Sequence, residues 1–263
     1  MLDNQTLSKH AKMFDTYYSD FGEICIREKS YSFNIAHRKV KDEIFSHIEM
    51  DGKKKPVKIL DAGCGMGLSL KELHELTNKS CVELYGVDIS KVQIERAKNI
   101  YEVPAKLFVS PIEELPFENS FFDFVICSEV LEHVLDPQLS LSELSRVIKK
   151  ENLLILSTPN KKSIYVLIET LIKKLRGEKH VIKGKGKYSI KDNPIPKKYL
   201  FQYIKDANFE IIYVAFKNAF FPHAQSFLPV FVQKFLISLS FRVEKSPLKE
   251  YFCRQTIVIA KKV

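Results

Sequence analysis

From residue 56 onward the chain alternates short apolar runs with segments whose apolar residues recur at helical spacing. The first run predicts a strand over 57–61. A helix follows, with Leu68, Leu70, Leu73 and Leu76 on it. A second strand is predicted over 82–88, then a helix that opens at Ser90, a residue type suited to an N-cap. The run 105–109 reads as a third strand. The fourth, 121–127, is too continuously apolar for a one-sided sheet and reads as a parallel strand buried on both faces. Asp136-Pro137 pairs a cap with proline at the first helical position, starting a helix through Leu141, Leu144, Val147 and Ile148. A fifth strand, 153–157, stops at Thr158-Pro159-Asn160. This alternation predicts a doubly wound α/β sheet, mostly parallel, with ligands at the carboxyl ends of its strands.

The flanks depart from that rhythm. Residues 1–50 read as an arm of two helical segments, the second carrying Ile35, Val40, Ile44, Phe45 and Ile48. The aromatic run Met13-Phe14-Asp15-Thr16-Tyr17-Tyr18 reads as packing against the core, with pocket lining as the alternative. Residues 51–263 form the α/β domain. Ile164, Leu167, Ile168, Leu171, Ile172 and Leu175 make a helical stripe within it, and Leu228, Phe231, Val232, Phe235, Leu236 and Leu239 make another. A helix near 197–207 and strands at 209–216 and 255–260 bring the sheet to seven strands. Helices at the N-terminus and a helical insertion near the C-terminus decorate it.

Charge is concentrated. Of the net +9, the window 173–198 supplies +8, from ten basic residues and two acids. Such a patch attracts phosphates, nucleic acid or anionic lipid, or it simply stays solvated. The five cysteines form no Cys-x-x-Cys pair and no disulfide spacing, which fits reduced thiols. Neither a signal-peptide core nor an apolar run of about 20 residues is present, so the expected location is cytoplasmic, with peripheral membrane contact as an extension.

The candidate chemistry lies at the end of the first strand. Of nine glycines in the chain, three fall in Asp61-Ala62-Gly63-Cys64-Gly65-Met66-Gly67. Glycines between a strand and a helix N-terminus let backbone N–H groups approach a ligand, which points to a nucleotide-type cofactor. A dinucleotide fingerprint fails, because its third glycine would fall at Leu68 or Leu70. A Walker loop fails too, since no Gly-Lys-Ser/Thr follows. Asp88, closing the second strand, is a carboxylate placed to accept hydrogen bonds.

With Gly86-Val87-Asp88-Ile89-Ser90, Glu113-Glu114-Leu115-Pro116-Phe117, Phe122-Asp123-Phe124-Val125-Ile126 and Leu131-Glu132-His133-Val134 following in order, the chain resembles the class I S-adenosylmethionine-dependent methyltransferases over roughly residues 58–160. The resemblance implies a Rossmann-like methyltransferase fold and S-adenosylmethionine as cofactor. It implies that Gly63, Gly65 and Gly67 close on the methionine moiety, and that Asp61 orients the loop. Asp88 would accept from the ribose hydroxyls, Ile89 pack on adenine, the Ile112 amide meet its edge, and Ser128 lie by the methionine end. Where the family often has Gly-Asp-Ala, this chain has Ser110-Pro111-Ile112, which removes an acid that meets the adenine amino group.

Glu129, Glu132 and His133 stand at i, i+3 and i+4, so a helical turn would put them on one face. Methyl transfer from a sulfonium needs an aligned acceptor and, for a hydroxyl, a base, a role for which His133 is the candidate catalytic residue. The Glu-x-x-Glu-His pattern also resembles ubiquinone-pathway O-methyltransferases and small-RNA 2′-O-methyltransferases, some of which hold a divalent metal with a later histidine. His180 and His223 are of the right type but stand in no recognised motif, and no metal ligand set is assigned. Residues 161–245 are expected to carry the acceptor and lid elements. The acceptor expected is a small molecule, a lipid, a quinone precursor or a glycan, by O-methylation. RNA is disfavoured, since the basic loop carries one interleaved aromatic, Tyr188, and no RNA-binding module follows. A protein that binds S-adenosylmethionine without transfer is the remaining alternative.

Overall fold

The structure is a computed structural model and describes residues 2–21, 56–77, 82–175, 182–183, 189–190, 193–219 and 229–263. The second helix of the expected N-terminal arm, most of the basic segment, His180 and His223 lie outside the described residues.

Seven strands form one sheet in the order β3-β2-β1-β4-β5-β9-β8. They are β1 (Val57–Ala62), β2 (Val82–Asp88), β3 (Lys106–Val109), β4 (Phe122–Ser128), β5 (Ile148–Pro159), β8 (Phe209–Lys217) and β9 (Gln255–Lys262), with a separate two-stranded pair, β6 (Ile182–Lys183) and β7 (Ser189–Ile190). The pairs β1–β2, β2–β3, β1–β4 and β4–β5 are parallel, whereas β9 runs antiparallel to both β5 and β8. The last strand in sequence thus inserts between two earlier ones, an order that periodicity could not show.

Alternation along each strand sends side chains to opposite faces, and both faces are apolar. Leu60, Val125, Leu154 and Val258 join one core layer, with Leu141 and Leu144 of α4 (Pro137–Val147) and Leu200 and Ile204 of α6 (Lys197–Asp206). Their neighbours Ile59, Phe124, Ile155 and Ile257 join the other, with Leu70 and Leu73 of α2 (Leu68–Leu76) and Ile94 and Ala97 of α3 (Lys91–Asn99). A sheet covered on both sides by helices from either half is the doubly wound arrangement. Its strand order reverses between β1 and β4, so their carboxyl ends open a crevice there.

Both predicted caps form. The Ser90 hydroxyl accepts from Gln93 N, and the Asp136 carboxylate accepts from Gln138 N and Leu139 N. The first helix, α1 (Asn4–Phe21), is held to the domain at the first of them. Asp15 Oδ1 accepts from Ser90 Oγ at 2.7 Å and from Val92 N at 3.1 Å. A carboxylate from a distant helix therefore satisfies one of the orphan N–H donors of α3. Near the other end of the chain, the stripe of α5 (Ile164–Leu175) is not buried: Ile164, Leu167, Ile168 and Leu171 are all exposed. In α7 (Val230–Glu244), Phe231 and Phe235 are exposed by 74% and 67%, so this face does not pack onto the domain. A four-residue helix, α8 (Lys249–Phe252), touches both α5 and α7.

Asp15→Ala leaves Ser90 Oγ and Val92 N without that acceptor. We expect a loss of about 1–2 kcal/mol in urea unfolding and faster amide exchange throughout α1. Unchanged exchange in α1 would show that Asp15 does not hold it.

Candidate functional site

A cavity of about 570 Å³, counting its open mouth, lies at the carboxyl ends of β1, β2 and β4. Gly63, Gly65, Asp88, Ile89, Ile112 and His133 border it, six of the nine positions expected of a site. Asp61 is buried inside β1, paired in register with Gly86 and Ile126, and sits behind the loop. Gly67 precedes α2, and Ser128 ends β4 with its hydroxyl 2.8 Å from that of Ser157. These three do not border the cavity.

The loop's shape has two separate causes. Gly63, Gly65 and Gly67 have φ of 85°, 52° and 72°, the left-handed region that penalises a Cβ. At Gly63 a Cβ would also fall 2.3 Å from Val130 Cγ2, so the loop lies flat against the segment after β4. At Gly65 a Cβ would meet only Gln93 Nε2, at 3.8 Å, and otherwise open space. Gly65 thus leaves a cradle at the cavity wall.

Asp88 ties this loop to the next helix. Its Oδ2 accepts from Gly65 N and its Oδ1 from Ser90 N, both at 2.8 Å. Burial raises its pKa to about 6, although the Ser90 and Gly65 amides pull the other way and Asp15 adds repulsion. Each oxygen keeps acceptor capacity beyond its one backbone bond. A carboxylate with spare lone pairs beside an open cradle fits the ribose of a nucleoside cofactor.

The segment 110–117, expected to border adenine, is clamped from α4. Glu143 Oε2 accepts from Leu115 N, while Arg146 donates to the Leu115 and Phe117 carbonyls. Pro111 and Ser110 border the cavity, and the Ser110 hydroxyl is engaged by the Glu114 carbonyl at 2.7 Å. Positions 110–112 carry no acid; the Glu113 carboxylate, next to them at the cavity border, accepts from Leu135 N.

Glu129, Glu132 and His133 do not share one face of a helix; they occupy an irregular turn between β4 and α4. Glu129 has φ of 56°, and its backbone N–H bonds the Ser157 carbonyl, which turns the chain before any helix can start. Its Oε1 accepts from Ser157 Oγ at 3.0 Å. Buried Glu132 accepts from Thr158 Oγ1 at 3.3 Å, and its Oε1 lies 3.9 Å from His133 Nε2. Both acids are thereby tied to the end of β5, and Glu129 and His133 border the cavity. Among the described residues no group of three or more His, Cys, Asp or Glu converges as a metal site.

The cavity's remaining wall comes from α1, through His10, Phe14 and Tyr18. Phe14 and Tyr17 are buried and pack with Ile89, and Phe14 lies edge-on to His133 at 6.4 Å between ring centroids. The aromatic run therefore does both things expected of it, packing and lining. His10 went unremarked in the sequence, although it stands four residues before Phe14 on the same helical face. Val130 had no signal at all, since its contact with Gly63 exists only in three dimensions.

Residues 60–156 match the sequence family described as a methyltransferase domain. A ubiquinone biosynthesis O-methyltransferase of Pelagibacter ubique is 28% identical over 169 residues, 61% of this chain and 66% of that protein. A probable chloroplastic tocopherol O-methyltransferase of Oryza sativa is 35% identical over 108 residues, 39% of this chain and 29% of its relative. The chain thus spans less than two thirds of the length of either. Geranyl diphosphate C-methyltransferase of Streptomyces coelicolor, solved with Mg2+, geranyl diphosphate and S-adenosyl-L-homocysteine, superposes with a TM-score of 0.59 at 17% identity, over 88% of this chain and 80% of that one. That likeness is one of fold.

Gly63→Ala should cost about 2–4 kcal/mol in urea unfolding, from backbone strain plus the collision with Val130. Gly65→Ala should cost only about 1 kcal/mol, from strain alone. Equal losses at the two positions would refute this division.

Proposed function

We infer that this chain, whose residues 60–156 belong to the class I S-adenosylmethionine-dependent methyltransferases, transfers a methyl group to a hydroxyl oxygen of a lipid-like or small aromatic acceptor. The observation that carries this reading is one cavity joining Asp88 and the Gly65 cradle to His133 under the aromatic face of α1. When bound, S-adenosylmethionine supplies a methyl group activated by the sulfonium. The chain's residues bind and align. Gly63 and Gly65 let backbone close on the methionine end, with Asp61, Gly67 and Ser128 supporting the loop and the end of β4 from behind. Asp88 accepts from the ribose hydroxyls, Ile89 packs on the base, and the Ile112 amide meets its edge. His133 touches the acceptor hydroxyl. The names of the relatives support an oxygen acceptor of quinone-precursor or phenolic type. Phe14 and Tyr18 give that side of the cavity an aromatic wall suited to such a ring.

In this reading residues 1–50 form an arm over the site, while residues 161–245 within the 51–263 domain select the acceptor. The exposed apolar residues of α5 and α7, with the +8 charge of the window 173–198, support contact with an anionic lipid surface by a protein that is otherwise cytoplasmic. No described helix is long and apolar enough to cross a membrane.

Because Asp88 titrates near 6, cofactor binding should depend on its charge. Ribose hydroxyls donate to the ionised carboxylate, so S-adenosylhomocysteine should bind about tenfold more weakly at pH 5 than at pH 7.5 by calorimetry. A pH-independent affinity would remove Asp88 from the site. The sign is opposite for the unliganded protein. A folded pKa of about 6 against an ordinary aspartate value of 3.8 means that this group's contribution to stability declines as pH rises between those values.

Incubation with methyl-labelled S-adenosylmethionine and a fractionated cell extract tests the acceptor class. Label should enter the lipid or small-phenol fraction, and chelation of divalent metals should leave the rate unchanged. Label in RNA would replace this reading with RNA methylation. Binding of the cofactor with no label anywhere would leave a binding protein that does not transfer.

A further inference from the structure

Two imidazoles border the cavity, and their surroundings differ. His133 comes from the turn after β4 and has the buried Glu132 carboxylate as neighbour, 3.9 Å from its Nε2. His10 comes from α1 and lies against Phe14, edge-on, with 5.0 Å between ring centroids. Its Nδ1 is buried and meets no hydrogen-bond partner. The unpartnered Nδ1 of His10 is placed to accept a proton, and the His133 ring, from the turn that faces it across the cavity, is placed to orient the acceptor.

We propose that His10 is a second catalytic residue: it takes the acceptor's hydroxyl proton, while His133, backed by Glu132, donates a hydrogen bond that positions the acceptor oxygen. This rests on the methyl-transfer function proposed above and reassigns the base within it. The balance is simple. The acceptor oxygen forms a bond to the methyl carbon as the methyl–sulfonium bond breaks, and that bond's electron pair stays on sulfur. The hydroxyl proton passes to the ring of His10, which later releases it to solvent. Burial lowers the His10 pKa, opposed by a hydrogen bond to the His133 backbone and reinforced by the His133 ring, so His10 is neutral and able to accept at pH 7. The other ionisable groups at the cavity wall are Asp88, Glu113, Glu129 and the Tyr18 phenol, with Asp15 behind Ser90. Of the carboxylates, Asp88, Glu113 and Glu129 already accept hydrogen bonds from Gly65, Leu135 and Ser157. His10 stands at the site on a helix that Asp15, five residues along α1, bonds to the start of α3 and that Phe14 and Tyr17 pack onto Ile89. A base supplied by the N-terminal helix ties proton removal to the seating of that helix.

The test uses the full chain, S-adenosylmethionine and a prenylated catechol in mixed micelles, with His10→Gln and His133→Asn as variants. We expect His10→Gln to lower kcat by about tenfold or more and to abolish the rise in rate with pH that a neutral imidazole base produces. Its affinity for S-adenosylhomocysteine should stay within twofold of the parent. His133→Asn should act more on the KM of the catechol. A readout independent of turnover is the His10 C2–H resonance, which should shift when catechol is added to the S-adenosylhomocysteine complex. His10→Gln with kcat within twofold and an unchanged pH profile overturns the assignment of His10 alone, as does a His10 resonance that ignores catechol. A wild-type protein that binds S-adenosylhomocysteine and methylates no catechol or phenol overturns the proposed function and this inference with it.

Discussion

The bonds from Gly65 N and Ser90 N to the half-buried Asp88 carboxylate tie together the two segments that carry the site. One side chain at the tip of β2 fixes the glycine loop after β1 and the start of α3 together. It does so in surroundings that raise its own pKa to about 6. Burying a carboxylate is costly unless hydrogen bonds offset it, and here two backbone donors do so only in part. The remaining acceptor capacity is what a cofactor's hydroxyls can use. The group that organises the loop is therefore also the group left wanting further donors.

Everything around Asp88 follows from where the strand order reverses. β1 and β4 are neighbours whose following segments leave in opposite directions, so a gap opens above them. Val130, after β4, presses against Gly63 after β1, and the two loops shape that gap together. Glu129 adopts a left-handed φ to leave the strand, a strained conformation of the kind that clusters at functional sites. Helix α1 then covers the gap with Phe14, Tyr17 and Tyr18. The Asp15 carboxylate, bonded to Ser90 and Val92, and the packing of Phe14 and Tyr17 on Ile89 together hold that aromatic face.

The acceptor side is built differently. The core strands bury almost every apolar residue, yet α5 and α7 leave Ile164, Leu167, Ile168, Leu171, Phe231 and Phe235 in solvent. Isolated exposed apolar residues are ordinary; a set spread over two helices that both touch α8 is not. Such a surface suits a greasy acceptor or the membrane that carries it. In the function proposed above, this part of the chain would select the acceptor and the strand ends would hold the cofactor.

The sequence by itself determined the strands of the sheet, the two helix caps, the glycine loop and Asp88. Each depends on local physics: a period of two or 3.6, a side chain reaching an N–H two or three residues on, a backbone needing positive φ. It also marked His133, though as part of a helical turn that the chain does not form, because the Glu129 backbone binds Ser157 instead. Tertiary structure alone decided the antiparallel insertion of β9, the Val130–Gly63 contact and the Asp15 anchor. These join residues far apart in sequence, and no local pattern records such a meeting. The same holds for His10, which is an unremarkable helical residue in the sequence and becomes part of the cavity wall through the docking of α1 by Asp15, Phe14 and Tyr17. The Asp61–Gly67 loop thus announced its cofactor chemistry locally, whereas the wall facing the acceptor came into being only when α1 docked.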